Sequence, residues 1–164
     1  MPEGWAWIRL KDVIDLLSGR DLPSDGYQSE KGAFPYITGA SNFDKGNLSV
    51  NRWTDTPEVI SEKQDVLLTC KGTIGEIAIN TIGPLHIARQ IMALRPTIAI
   101  NNVFLANALQ SMIIWIKSEA NGLIPGISRD VILKLLFPLP PVQEQARIIK
   151  AISQYKSILK SLRG

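Results

Sequence analysis

Short apolar runs separated by polar stretches fill the chain as far as Leu94, after which the apolar spacing turns from strand-like to helical. Near the start, Leu10, Val13, Ile14 and Leu17 stand at helical spacing. They predict a short helix that Gly19 stops. Arg20 to Gly32 is polar and carries Pro23 and Gly26, the pattern of an exposed loop. Phe34 to Thr38 predicts a short strand. Gly39 to Asp55 predicts loops around an edge strand near Leu48 to Val50. Asp65 to Cys70 (DVLLTC) predicts a buried strand, followed by a turn at Lys71-Gly72-Thr73. Gly75 to Asn80 alternates, with Ile77 and Ile79 on one face, and Ile82 to Pro84 turns again. His86 to Leu94 supplies one or two further strands. Short strands at this spacing predict a curved, antiparallel or mixed sheet.

The second part of the chain is helical. Leu105, Leu109, Met112, Ile113 and Ile116 form one stripe along Val103 to Lys117, with Asn101 or Asn102 as N-cap. Gly122 to Ile127 predicts a strand, and Ser128 caps a short helix reaching Leu135. Phe137-Pro138-Leu139-Pro140-Pro141 must be extended, because proline fixes φ and bars the helical region for the residue before it. With Pro141 near its first position, a helix of about 20 residues follows. Ile148, Ile152, Tyr155, Leu159 and Leu162 are spaced as a heptad seam, which Ile149 and Ile158 widen. Two readings of that seam stay open: a face for a partner helix, or a terminal helix packed on its own domain. The expected class is α/β (α+β): residues 1–140 as one domain with flanking helices, and 141–164 as a projecting spacer or dimerisation helix.

Charge refines this picture. The formal net charge is +3, yet residues 1–141 hold 13 basic and 14 acidic side chains. The excess sits on the last helix, in Arg147, Lys150, Lys156, Lys160 and Arg163 against Glu144. If the domain binds nucleic acid, its cations must be sorted onto one face. No apolar run approaches the roughly 18 residues of a membrane span. Met1 to Trp5 lacks the basic and apolar segments of a signal peptide. A lone Cys70 excludes an internal disulfide framework and fits a cytoplasmic location.

Catalytic chemistry has little to stand on. His86 and Cys70 are the only residues of their kinds, so no zinc site or Cys–His pair has conventional spacing. His86 reads as a buried, hydrogen-bonded structural residue. Lys71-Gly72-Thr73 is not a phosphate loop, because its order is wrong and Asp65 and Val66 stand where the upstream glycine belongs. There is no GxGxxG and no amino-methyltransferase Pro-Pro-aromatic run. What remains is a set of loops rich in Arg, Lys, Asn, Gln, Ser and Thr: Arg20 to Lys31, Ser41 to Arg52, Lys71 to Thr73, and Arg89-Gln90. Such side chains read base edges or hold phosphates; the plainer reading is that they are solvated.

A resemblance shifts that balance. Asp65 to Ile79 (DVLLTCKGTIGEIAI) resembles the central motif of type I restriction-modification specificity subunits. Gly4-Trp5 through Leu10, with Val13 and Gly19, is similar to the opening of their target-recognition domains. Ile87-Ala88-Arg89-Gln90-Ile91 through Leu94-Arg95-Pro96 resembles a later stretch. Ile124-Pro125-Gly126-Ile127-Ser128 resembles another, and so does Phe137 to Gln145 with Arg147-Ile148-Ile149. The PLPPVQEQ piece is the most specific, and the likeness runs in order along nearly the whole chain.

The resemblance implies a non-catalytic, sequence-specific DNA recognition subunit that reads one half of a bipartite site in double-stranded DNA. It implies methyltransferase (M) and restriction (R) subunits as partners, which carry S-adenosylmethionine, ATP and Mg; this chain needs no cofactor of its own and no metal. A full subunit has two recognition domains, whereas this chain has one. It is either a fragment or a natural half-subunit, and a seam stopping in mid-heptad at Leu162-Arg163-Gly164 fits a short or cut form. A half-subunit would pair with itself through Ile148, Ile152, Tyr155, Leu159 and Leu162, and a two-fold protein would read a palindromic split site. The last helix would then set the gap between half-sites. Residue type and loop position make Lys31, Asn42, Lys45, Arg52, Lys71, Thr73 and Arg89 the expected DNA contacts. The competing reading is a helix-mediated scaffold protein without DNA contact of its own.

Overall fold

The structure is a computed structural model that describes residues 1–120, 122–123 and 125–164. Ala6–Arg9 forms β1, and a 3-10 turn at Leu10–Asp12 leads into β2, Ile14–Ser18. β3 is Phe34–Ile37. A second 3-10 turn, Ala40–Asn42, precedes a hairpin of β4 (Phe43–Asp44) and β5 (Asn47–Leu48). Then come β6 (Trp53–Thr54), β7 (Ile60–Ser61), β8 (Val66–Thr69) and β9 (Ile77–Ile79). They are followed by β10 (Leu85–Ile87) and β11 (Ile91–Pro96). α1 (Asn102–Ser118), α2 (Arg129–Lys134), β12 (Leu136–Leu139) and α3 (Val142–Arg163) complete the chain.

Two four-stranded sheets carry the domain, one antiparallel in the order β2-β11-β8-β9 and one mixed in the order β6-β3-β10-β7. In the mixed sheet β10 runs parallel to β3 and antiparallel to β7. The expected class, α+β with mixed and antiparallel sheets, is the one the chain forms. The DVLLTC run shows why. Along β8, Val66 and Leu68 face the larger core with α1 and α2, while Leu67 faces a second core with Ile37, Leu85 and Ile87 of the mixed sheet. A strand buried on both faces must be apolar at every position rather than at alternate ones. β11 divides likewise, with Met92 and Leu94 on one side and Ile91 and Ala93 on the other.

The helix expected over Leu10 to Leu17 does not form. Ile14–Ser18 instead pairs antiparallel with β11, from Pro96↔Ile14 to Met92↔Ser18. Local spacing lost to five ladder pairs and the burial of Val13 and Ile14, because a segment this short takes its state from its neighbours. Gly19 is accordingly no helix stop. A Cβ there would overlap the Ala88 carbonyl, so glycine allows two backbones to approach. Of the strand expected over Gly122 to Ile127, Ile124 lies outside the described residues; the others contribute an isolated bridge between Gly126 and Lys71.

The helical expectations fare better. Asn101 caps α1 by accepting from the N–H groups of Val103 (2.8 Å) and Phe104 (3.3 Å). Leu105, Leu109, Ile113 and Ile116 are buried beneath it. Ser128 caps α2 through Val131 N–H. β12 pairs with β1, placing Phe137 edge-on to Phe104 at 6.1 Å. α3 is joined to this body by Gln145, which is fully buried. Its Nε2 donates to the carbonyls of Ala99 and Pro140, both at 3.0 Å, and its Oε1 accepts from Asn101 N–H at 2.8 Å. Ile148 and Ile149 then pack on the larger core, and Ile152 is half-buried. Beyond them Tyr155, Ile158, Leu159 and Leu162 are 52–78% exposed. The seam is thus packed on its own domain at its base and exposed at its tip.

Candidate nucleic-acid interface

Six of the seven expected contacts stand on exposed loop positions: Lys31, Lys45, Arg52, Lys71, Thr73 and Arg89. They do not form one cluster. Lys45 occupies the tip of the β4–β5 hairpin, where φ of 49° at Lys45 and 86° at Gly46 defines a two-residue turn with both residues left-handed. That tip borders a cleft shared with β9, α1 and Lys156 of α3. Arg52 lies over the ring of Tyr27, 5.1 Å from its centroid. Lys71 and Arg89 line another cleft, of about 260 Å³, with Ser18, Gly19, Ser128 and Arg129.

Asn42 leaves the set. It is 1% exposed, and both ends of its carboxamide are used inside its own loop. Oδ1 accepts from Thr38 N–H (2.9 Å), Thr38 Oγ1 (3.1 Å) and Gly39 N–H (3.3 Å), while Nδ2 donates to Ser49 O and Asn51 Oδ1. A buried carboxamide so satisfied holds the loop's shape and has nothing to offer a base. Asn80 plays the same part at the Ile82–Pro84 turn, donating to Ser61, Glu62 and Gly83 and accepting from Ile82 and Gly83.

The Lys71–Thr73 turn is held at its exit by Thr69, whose carbonyl takes Gly75 N–H (2.9 Å) and whose hydroxyl takes Glu76 N–H (2.8 Å). Gly72 (φ 71°) and Gly75 (φ 91°) supply the left-handed residues it needs. Arg89 is clamped by Asp21, with Nε 2.8 Å from Oδ2 and its backbone N–H donating to Oδ1 at 3.1 Å. Two residues outside the seven expected contacts join these loops. The Gln90 side chain sits between two glycines, against Gly39 and 3.4 Å from where a Gly72 Cβ would stand, and so links two loops. Arg129 donates through Nη1 to Leu16 O (3.1 Å) and Ser18 Oγ (2.9 Å) across the cleft. Gln90 belonged to a loop singled out for its composition; Arg129 follows a capping serine and gave only a helix signal.

The mixed sheet's buried chemistry is structural. His86 is fully buried, with Nε2 2.8 Å from Arg20 O and Nδ1 facing the N–H groups of Glu58 (3.2 Å) and Val59 (3.1 Å). Nδ1 accepts, so Nε2 carries the proton and the ring is neutral. Burial lowers its pKa, outweighing the hydrogen bond to Arg20 O. The Tyr36 ring meets it at 4.9 Å and Tyr27 at 5.3 Å, tilted by 50° and 59°, extending the contact outward to Arg52. Burial pushes the Cys70 thiol up in pKa, which makes it a poor nucleophile. Among the described residues no group of three His, Cys, Asp or Glu could hold a metal ion, and no helix is long and apolar enough to cross a membrane.

Residues 2–163 match the profile of the type I restriction modification DNA specificity domain. The chain is 25% identical over 164 residues to the type I restriction enzyme MjaVIII specificity subunit of Methanocaldococcus jannaschii, covering 99% of itself and 38% of that protein. Among solved structures it superposes with a TM-score of 0.91, at 25% identity, on a chain from a study of complex assembly and conformational transition in the type I R-M system. It also matches the HsdS subunit of Thermoanaerobacter tengcongensis, with a TM-score of 0.87 at 25% identity. Each superposition covers 99% of this chain and 40% of the other, so the chain spans about two fifths of its relatives' length. With a profile match across almost every residue and the same fold in both neighbours, the chain belongs to the type I restriction-modification DNA specificity domain family.

Proposed function

We propose that this domain reads one half of a bipartite site in double-stranded DNA for methyltransferase and restriction subunits, and itself catalyses nothing. The observation that carries the reading is the family match over residues 2–163. The loops support it. Lys31, Lys45, Arg52, Lys71, Thr73 and Arg89 are presented to solvent from a doubly buried sheet scaffold, the arrangement in which rigid elements aim recognition side chains. Base-reading pairs of this kind discriminate by about 1–3 kcal/mol each. S-adenosylmethionine, ATP and Mg belong to the partner subunits, which work in the cytoplasm. The methyltransferase flips the target adenine out of the stack. Residues 141–164 act as the spacer, and the exposed Tyr155, Leu159 and Leu162 pair with a second copy, so that two half-sites face each other across a two-fold axis.

The test is selection of bound duplexes from a random-sequence pool by the chain assembled with its methyltransferase partner. The expected result is enrichment of a split, palindromic motif, with binding that weakens steeply as salt rises. A split motif without palindromy would retain DNA reading and remove the self-paired arrangement. No enrichment and a flat salt dependence would leave the helix-mediated scaffold as the function.

A further inference from the structure

Among the expected contacts, a side chain that reaches a base and one that holds the backbone need different surroundings. Shape divides them. Base edges lie at the floor of a groove roughly 8.5 Å deep, so only protruding elements reach them. Phosphates stand on the ridges of the duplex, so a recess in the protein receives them. The cleft beside β2, β8 and the start of α2 is such a recess.

We propose that this cleft seats one phosphodiester of the DNA, held by Lys71 and Arg129, and so fixes the domain's register on the duplex without reading sequence. The inference rests on the DNA-reading function proposed above. Among the described lining residues the charged ones are Lys71, Arg89 and Arg129, all cationic. Arg89 is neutralised by Asp21 at 2.8 Å. Lys71 and Arg129 have no ion pair among the described residues, so the cleft keeps two uncompensated charges. Arg129 is pre-oriented. Its Nη1 is tied to Leu16 O and Ser18 Oγ, and Nε and Nη2 remain for a ligand. A guanidinium offers parallel donors that fit two phosphate oxygens. Buried Ile91 and Ile127 line the cleft behind these cations, and an apolar backing strengthens their field. The charges that line the site are all of one sign, which suits a phosphate. Of the expected contacts Lys71 is thus one that holds the backbone, and Arg129 acts with it.

The experiment uses the full chain and measures the slope of log affinity against log salt on a random-sequence duplex pool. Lys71→Ala with Arg129→Gln should lower the slope by about 0.9, the share of one phosphate on B-DNA, and not by twice that. Arg129→Lys keeps the charge and should recover most of the slope. Both variants should weaken a selected site and the random pool by the same factor. Lys71 lies on an exposed turn, so Lys71→Ala alone should lower the slope by a measurable part of that amount even if Arg129→Gln loosens β2. An unchanged slope overturns the seat, and a fall of about 1.8 means two separate phosphates and overturns it as well. Loss of preference for the selected site would show that the cleft reads bases, which removes this inference and keeps the proposed function. Inorganic phosphate at matched ionic strength should not compete; if it does, the cleft is a free-anion site. A flat salt dependence in the unaltered chain would sink the proposed function and this seat with it.

Discussion

The first turns of α3 and its last ones carry apolar residues at the same spacing, yet the domain uses only the first. Ile148 and Ile149 lie on the larger core behind the buried Gln145, whereas Tyr155, Ile158, Leu159 and Leu162 face solvent. The difference is one of polar anchoring. Two carbonyls and one N–H at the domain's edge are satisfied by the Gln145 carboxamide, and this fixes the helix base where its apolar residues can pack. Past Lys156, whose Nζ reaches Asn107 Oδ1 at 3.3 Å, no such anchor exists among the described residues. A periodic stripe thus states that something is to be covered; buried hydrogen bonds decide how much is covered at home.

The comparison breaks most visibly at Gln145. Gln145→Leu keeps the volume but strands three backbone groups, each costing about 1–3 kcal/mol when buried without a partner. The urea midpoint should fall by an amount equivalent to roughly 3 kcal/mol, and an unchanged midpoint would mean that the base is held by apolar packing alone. Next, Ile148→Ala at the half-buried base should cost roughly 1–2 kcal/mol, short of the approximately 2–5 of a fully buried site.

Acid should act on the domain and spare the helix. The folded state lowers the pKa of His86, so below the unfolded value of about 6.5 the unfolded chain binds a proton that the folded chain refuses. Stability from this residue is complete above that pH. It falls as pH drops, by at most about 1.4 kcal/mol per pH unit, until the folded pKa is reached. His86→Asn should flatten the pH dependence of the thermal midpoint between pH 7 and 5. The smallest effect belongs to the tip. Leu159→Ala should change the stability of the dilute chain by less than about 0.5 kcal/mol. The same position sharpens the proposal of self-pairing: Leu159→Glu with Leu162→Glu, both on the exposed tip, should leave the thermal midpoint of the dilute chain unmoved and abolish any rise in mass with concentration by light scattering. A strict monomer without these changes would remove the paired arrangement.

Much of the fold was legible because its signals were long or chemically specific. The α1 stripe, its cap at Asn101 or Asn102, the Ser128 cap and the extended proline-rich segment all emerge from residue type and spacing. The misread Leu10 to Leu17 segment could not, since the same four apolar positions serve a helix face or a turn followed by a doubly packed strand, and β11 makes the choice from 80 residues away in the chain. The interface was legible only as a set of loops. Asn42 has the residue type of a base reader, and only its burial reveals a loop staple. Arg129 has the sequence context of a helix start, and only the approach of β2 gives it a cleft.

The carboxamide at Gln145 also has a rotational consequence. An α-helix turns about 100° per residue, so a helix clamped at its base presents its tip at a fixed angular phase. One residue inserted between Ile152 and Leu159 would lengthen α3 by about 1.5 Å and swing the exposed stripe by that full angle. Seven would add about 10.5 Å and bring the stripe back to nearly the same heading. Spacing and orientation of whatever the tip meets are therefore geared together, and natural or engineered changes in the length of this helix should be tolerated in steps of whole heptads.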